Sequence, residues 1–273
     1  MFTPDQMTRR TFLADLGRGS VALMVVGITG CAGSPPGPSP TASATGRSPE
    51  PGTPSAPASA SAVPSSSGAG SGGAPSSGAV AWTRVNLGFV SAYALVRGGE
   101  AAIVDTGVAG SADEIEQALR GVGLAWNAVG HVILTHRHGD HAGSAADVLA
   151  QASAATGYAG AEDIPGITVP RPLTAVGDGD SVFGLRIVAT PGHTAGHVAV
   201  LDEVGGILVA GDALGTVGGT LAGSNPSFTA DAAAARASVA KLGALRFETL
   251  LVGHGEPILS GAAAQVAALA GSS

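Results

Sequence analysis

The segment Leu134-Thr135-His136-Arg137-His138-Gly139-Asp140-His141-Ala142-Gly143 packs three histidines and one aspartate into six residues. It lies where an apolar run gives way to a helical stretch. A strand end and the turn after it can aim such side chains into one cavity. Neutral imidazole nitrogen and anionic carboxylate oxygen are ligands that borderline metals such as zinc accept. The whole chain has seven histidines in 273 residues, so this cluster is not the composition of an ordinary polar loop.

Three more candidate ligands follow later apolar runs. His193 stands in Thr190-Pro191-Gly192-His193-Thr194-Ala195-Gly196-His197, Asp212 in Ala210-Gly211-Asp212, and His254 in Val252-Gly253-His254-Gly255. Each has a neighbouring glycine, which lets the backbone turn sharply and approach an ion closely. Several separate strand ends that each deliver a His or Asp are hard to account for by packing alone.

The composition divides the chain into three. In residues 1–31, Arg9-Arg10 precede Phe12-Leu13 and an apolar run from Val21 to Ile28, too short to span a bilayer and suited to the core of an export signal. Thr8–Leu13 resembles a bacterial twin-arginine signal. Ile28-Thr29-Gly30-Cys31 resembles a lipobox, which implies a signal peptide over 1–30 and lipid on Cys31. The alternatives are an ordinary N-terminal helix, or a soluble secreted protein cut near Ala32-Gly33. The expected location is the outer face of a bacterial cell membrane. Of the 48 residues 32–79, 45 are Ser, Pro, Ala, Gly or Thr. Such a stretch buries too little to offset its ordering entropy and reads as a disordered tether.

Residues 80–273 form the body and hold all seven histidines. With 17 acidic and nine basic residues, the body offers no basic stripe for nucleic acid. The single Cys excludes a disulfide scaffold and a Cys-rich zinc site. Short β-type runs are expected at Val85–Asn86, Ser91–Val96, Ala101–Val104, Val132–Thr135, Leu185–Ala189, Val198–Leu201, Ile207–Ala210 and Leu250–Val252. Helices are expected from a Ser111/Glu114 capping box through Ile115, Ala118, Leu119 and Val122, and at Ala142–Gln151, Asp231–Leu242 and Ala262–Ala270. Strands followed by helices, with the pattern occurring twice, indicate an α/β layered domain.

The motifs together resemble the metallo-β-lactamase fold hydrolases. Val104-Asp105-Thr106-Gly107, His136–His141, Thr190–His197, Asp212 and His254 occur in that family's order, and the likeness covers nearly all of residues 80–273. The resemblance implies a four-layer αβ/βα sandwich with the site at one edge. It implies one metal on His136, His138 and His193, a second on Asp140, His141 and His254, and Asp212 bridging them. The metals would be two divalent ions, zinc first, with iron or manganese as alternatives. A bridging hydroxide would attack an ester, thioester or lactone, with Asp140 orienting it or passing its proton on.

Asp105 is expected to buttress the ligand loop. His197 is open between supporting the site and ordinary packing. His131 reads as structural, and Trp82 and Trp126 as core or edge aromatics. Residues 213–229 read as a long loop that either shapes the substrate pocket or is merely solvated.

Departures narrow the class. True β-lactamases of this fold usually lack an aspartate at the bridging position. Glyoxalase II enzymes share the ligand set, but add a C-terminal helical domain where this sequence has 19 residues after His254. Acyl-homoserine lactonases carry a tyrosine just after the bridging Asp, where Ala213-Leu214-Gly215 stand instead. A single-domain, glyoxalase II-like hydrolase of a small molecule is the expectation, with membrane contact through Cys31 and no oligomeric state specified. Alternatives are β-lactamase or phosphodiesterase activity, iron-dependent persulfide oxidation, or a non-catalytic metal-binding lipoprotein.

Overall fold

The computed structural model describes residues 78–272. The expected signal segment, Cys31 and the expected tether up to residue 77 lie outside the described residues. In the first sheet, β1 (Ala81–Asn86), β2 (Ser91–Arg97) and β3 (Glu100–Val104) run antiparallel. They are joined in parallel by β4 (Val129–Ile133), β5 (Thr156–Gly160) and β6 (Thr174–Val176). The second sheet uses β7 (Ser181–Val182), β8 (Leu185–Ala189), β9 (Val198–Asp202) and β10 (Ile207–Val209). A separate hairpin follows, β11 (Leu214–Val217) and β12 (Thr220–Gly223), and then β13 (Thr249–Leu251) closes the second sheet in the order β13-β10-β9-β8-β7.

Parallel neighbours need crossovers. Helix α1 (Ala112–Gly121) lies between β3 and β4, α2 (Ala145–Gln151) between β4 and β5, and α3 (Ala232–Gly243) between the hairpin and β13. Helix α4 (Ala262–Gly271) ends the described chain.

Side-chain alternation explains the layering. In β2, Ala92 and Ala94 face a core shared with Ile115 and Leu119 of α1 and Val148 and Leu149 of α2. Tyr93 and Leu95 face the other way, into a core shared with Ile187 of β8 and Val200 of β9. In β9, Ala199 and Leu201 turn from that core to a third, with Val239 and Leu242 of α3 and Val266 of α4. Both sheets are therefore buried on both faces, which a period of two residues achieves only where both sets are apolar. The order is helices, sheet, sheet, helices, the four-layer αβ/βα sandwich.

Several local expectations are corrected. Ser111 is the N-cap of α1, but its side chain makes no capping bond. Its φ of −83° and ψ of 9° are not the extended conformation that capping requires. Val122 falls past the helix and is 41% exposed. Helix α2 starts at Ala145 rather than Ala142, because the preceding backbone is engaged elsewhere. The His141 and Ala142 N–H groups turn back on the His138 carbonyl, and Gly143 N–H donates to Gly107. Residues 213–229 are not a plain loop, since β11 and β12 pair within them around Gly218 and Gly219, both at positive φ. Trp82 packs edge-on against Tyr93 and Trp126 against the α1/α2 core.

Candidate metal centre

The candidate ligands all lie in turns that follow strands. Asp105 follows β3, the His136–His141 loop follows β4, His193 and His197 lie between β8 and β9, Asp212 follows β10, and His254 follows β13. Three hydrogen-bond chains set the imidazole tautomers. Thr135 gives its hydroxyl proton to Asp105 Oδ2 at 2.8 Å, so at 3.0 Å it accepts from His136 Nδ1–H. That leaves a bare lone pair on His136 Nε2. His141 Nδ1–H donates to Asp105 Oδ2 at 2.8 Å, which turns Nε2 inward. His254 Nδ1–H donates to the Phe89 carbonyl at 2.7 Å, again with Nε2 inward.

The inward atoms form two trios around one carboxylate. His136 Nε2 lies 3.1 Å from His138 Nδ1, which lies 2.9 Å from His193 Nε2. On the other side, His254 Nε2 is 3.3 Å from Asp140 Oδ2 and 3.3 Å from His141 Nε2. Asp212 sits between them, with Oδ2 3.3 Å from both His193 Nε2 and His254 Nε2, and Oδ1 3.1 Å from His141 Nε2. Ligands around a tetrahedral zinc at about 2.0–2.1 Å stand about 3.3–3.4 Å apart. The buried Asp212 Oδ1 has no hydrogen-bond partner, and His136 turns a bare Nε2 into the first trio. Both observations fit a cation at the focus. His136, His138 and His193, His136, His141 and Asp212, and Asp140, His141 and His254 each converge closely enough to hold one.

The electrostatics agree. Burial opposes a charged His141, but Asp105 and Asp212 outweigh it and push its pKa up to about 10. His254 is raised to about 10 by Asp140 and then Asp212. Asp212 is held well below the carboxylate range; burial works against this, and the neighbouring His141 and His254 imidazoles outweigh burial. The acid-rich half of the site therefore takes up positive charge. In the other half, burial lowers His193 to about 4 and His136 well below its ordinary value, so these rings are neutral and able to ligate.

The supporting residues are buried around this. Asp105 adopts φ 62°, a left-handed conformation that Asp tolerates, and its Oδ1 accepts from Thr135 N–H at 2.7 Å. Thr106 donates twice to the His141 carbonyl, at 2.7 Å from the backbone and 2.9 Å from the hydroxyl. His197 is 1% exposed, and its Nε2 accepts the Asp212 backbone N–H at 3.0 Å. Its Nδ1–H donates to the Thr190 hydroxyl at 2.7 Å, and burial lowers its pKa to about 3. His197 thus fixes the Asp212 backbone. His131 lies away from the centre, against Tyr158 and Phe183.

Two residues carry no distinguishing signal in the sequence and still shape the site. Asp163, 0% exposed, accepts from Arg137 N–H at 3.1 Å, Arg137 guanidinium at 2.7 Å, Thr194 hydroxyl at 2.6 Å and Gly196 N–H at 3.1 Å. It joins the loop of His136 and His138 to the loop of His193. Phe89 stacks on His254, with centroids 6.2 Å apart and planes 12° apart. Only proximity in the fold reveals either role.

Residues 85–254 match the family model described as Metallo-beta-lactamase superfamily. A hydroxyacylglutathione hydrolase of Cupriavidus metallidurans is 33% identical over 171 residues, which cover 58% of this chain and 59% of that protein. The chain spans between 42% and 66% of the length of the first three such relatives. A metallo-beta-lactamase family protein from Thermus thermophilus has a similar fold, with a TM-score of 0.58 and 23% identity over 71% of this chain and 78% of that one. The structure described as TTHA1623 in a di-iron-bound form gives a TM-score of 0.54 and 26% identity, covering 65% of this chain and 93% of that one.

Proposed function

The chain belongs to the metallo-beta-lactamase superfamily, and on that basis we propose that residues 80–273 form a dinuclear metal-dependent hydrolase of a small ester, thioester or lactone. The observation that carries this reading is the Asp212 carboxylate set between two ligand trios. His136, His138 and His193 would hold one ion, Asp140, His141 and His254 the other, and Asp212 both. Zinc suits five imidazoles and two carboxylates; the di-iron neighbour supports iron as a second reading.

When bound, a metal pair supplies an activated water nucleophile and polarises the acyl oxygen. The chain's residues do the rest. Asp105, Thr135 and the Phe89 carbonyl fix the ring tautomers. His197 holds Asp212 by its backbone. Asp140, 29% exposed at the side chain, is placed to accept the water proton and deliver it to the leaving group. The acyl–oxygen or acyl–sulfur bond breaks, the water oxygen stays on the acid, and the departing alcohol or thiol takes the proton.

Export through Arg9-Arg10 and a lipid anchor at Cys31, with residues 32–79 as tether, belong to the same proposal and rest on the sequence. Metal analysis of the full chain, with a panel of esters, thioesters and lactones, tests the activity. Two metals per chain and hydrolysis are expected, and Asp212→Ala should bring the content below two and lower the rate at least about 100-fold. Full activity of Asp212→Ala with two metals retained would overturn the bridging role.

A further inference from the structure

Two cavities open from the candidate centre. One, of about 300 Å³, runs beneath the β11–β12 hairpin from Asp212 and His254, between Leu214, Val217, Ala222 and Pro226. The other, of about 440 Å³, is the cleft over His138, Asp140 and His193. Phe89 and Phe228 flank it, 64% and 65% exposed. Among the described residues, neither cavity is lined by a lysine or an arginine. Their only carboxylates among the described residues are Asp140 and Asp212, which the ligand set uses. Thr216, a polar group in the hairpin cavity, has its hydroxyl engaged: it donates to the Glu256 carbonyl at 2.9 Å and accepts from Glu256 N–H at 2.6 Å.

We infer that the hairpin cavity is an acyl site, and that the substrate is an uncharged ester, thioester or lactone with an aliphatic acyl group of medium length. This rests on reading the centre as a hydrolase. A carboxyl carbon held at the metals beside Asp212 would direct its hydrocarbon chain under the hairpin, where apolar walls remove it from water. The leaving group would lie in the cleft between the two phenylalanines. An anionic leaving group such as glutathione would find no lysine or arginine among the described residues of the cleft to compensate for its desolvated carboxylates. The lining thus separates this chain's substrate from the hydroxyacylglutathione in its relatives' name.

The hairpin gives the cavity its form. Leu214 is buried, whereas Val217 at the other end of β11 is 76% exposed and forms part of the lip. Ala222, directly opposite Gly215 in the β11–β12 register, leaves room that a larger side chain would fill.

The test uses the full metal-loaded chain, with two readouts. Binding of octanamide, an uncharged acyl probe, is followed by saturation-transfer NMR. Hydrolysis is compared for p-nitrophenyl octanoate, p-nitrophenyl acetate and S-lactoylglutathione. Ala222→Phe should weaken octanamide binding about tenfold or more and lower the octanoate-to-acetate ratio by a similar factor, with the metal content as in the parent. Phe228→Arg, a change at an exposed residue of the cleft, should raise the relative rate on S-lactoylglutathione about tenfold. Octanamide that fails to bind, or binds Ala222→Phe as well as the parent, would overturn the acyl site. A parent preference for the anionic thioester, or no shift with Phe228→Arg, would overturn the uncharged substrate. Octanamide binding lost in Ala222→Phe, without hydrolysis of any ester, would sustain the acyl site and overturn the hydrolase reading alone.

Discussion

Asp163 and Arg137 are joined twice, through the Arg137 backbone N–H at 3.1 Å and its guanidinium at 2.7 Å. The two bonds differ in what they support. The backbone bond fixes the peptide between His136 and His138, while the guanidinium belongs to a side chain that is 38% exposed. Asp163→Ala should therefore cost more than Arg137→Ala. It leaves the Arg137 donors and the buried donors of Thr194 and Gly196 unpaired, at about 1–3 kcal/mol for each buried group, and should weaken metal binding about 10–100-fold. Competitive chelator titration and denaturant unfolding measure both. Equal effects of the two substitutions would show that the side-chain pair, not the joining of two loops, is what matters.

Gly253 is not among the glycines at positive φ, and its surroundings rather than its backbone angle exclude a side chain. A Cβ there would press on Asp212 Oδ1 and on the His141 ring. Gly253→Ala should displace the central carboxylate and lower metal affinity about tenfold or more, while the melting temperature of the metal-free chain changes little. Unchanged metal content in mild chelator would refute the close approach.

His131 gives a pH dependence that is independent of the centre. Burial lowers its pKa, against a smaller opposing effect of Glu100. An unfolded histidine titrates near about 6.5. Above that value both states are neutral and His131 contributes no slope. As pH falls below it, the unfolded chain takes a proton that the folded site resists, so stability drops until the folded pKa is passed. His131→Asn should flatten the stability profile of the metal-saturated chain between about pH 7 and about pH 5. A profile as steep as the parent's would be the contrary result.

Cys31 makes a prediction outside the described residues. Cys31→Ser should move the chain from the membrane fraction to the soluble fraction of cells that express it. Retention in the membrane fraction would mean that something other than a lipid on this residue holds it there.

The candidate centre was legible in the sequence because its ligands are rare residue types at strand ends. Seven histidines in the chain, with three in one short segment, leave few arrangements. The strand cores at Leu185–Ala189 and Val198–Leu201 were legible because their runs are largely apolar. The Ser111 capping box misled because its residue types allow a cap while the backbone angle does not. The β11–β12 hairpin was hidden by glycines that suggest loop, although Gly218 and Gly219 at positive φ make the turn itself. Asp163 was illegible for a different reason. A buried acid is recognised by its partners, and those partners come from residues 137, 194 and 196.

The centre draws on both sheets. Asp105 and the His136–His141 loop extend from the first, while His193, Asp212 and His254 extend from the second. A chain divided between Val176 and Ser181 would leave each fragment with a deficient ligand set. Each trio would then close only when the fragments found each other, and metal capture would count reassembly events. The same arrangement that shapes the chemistry would make the domain a split reporter, with the ions as its latch.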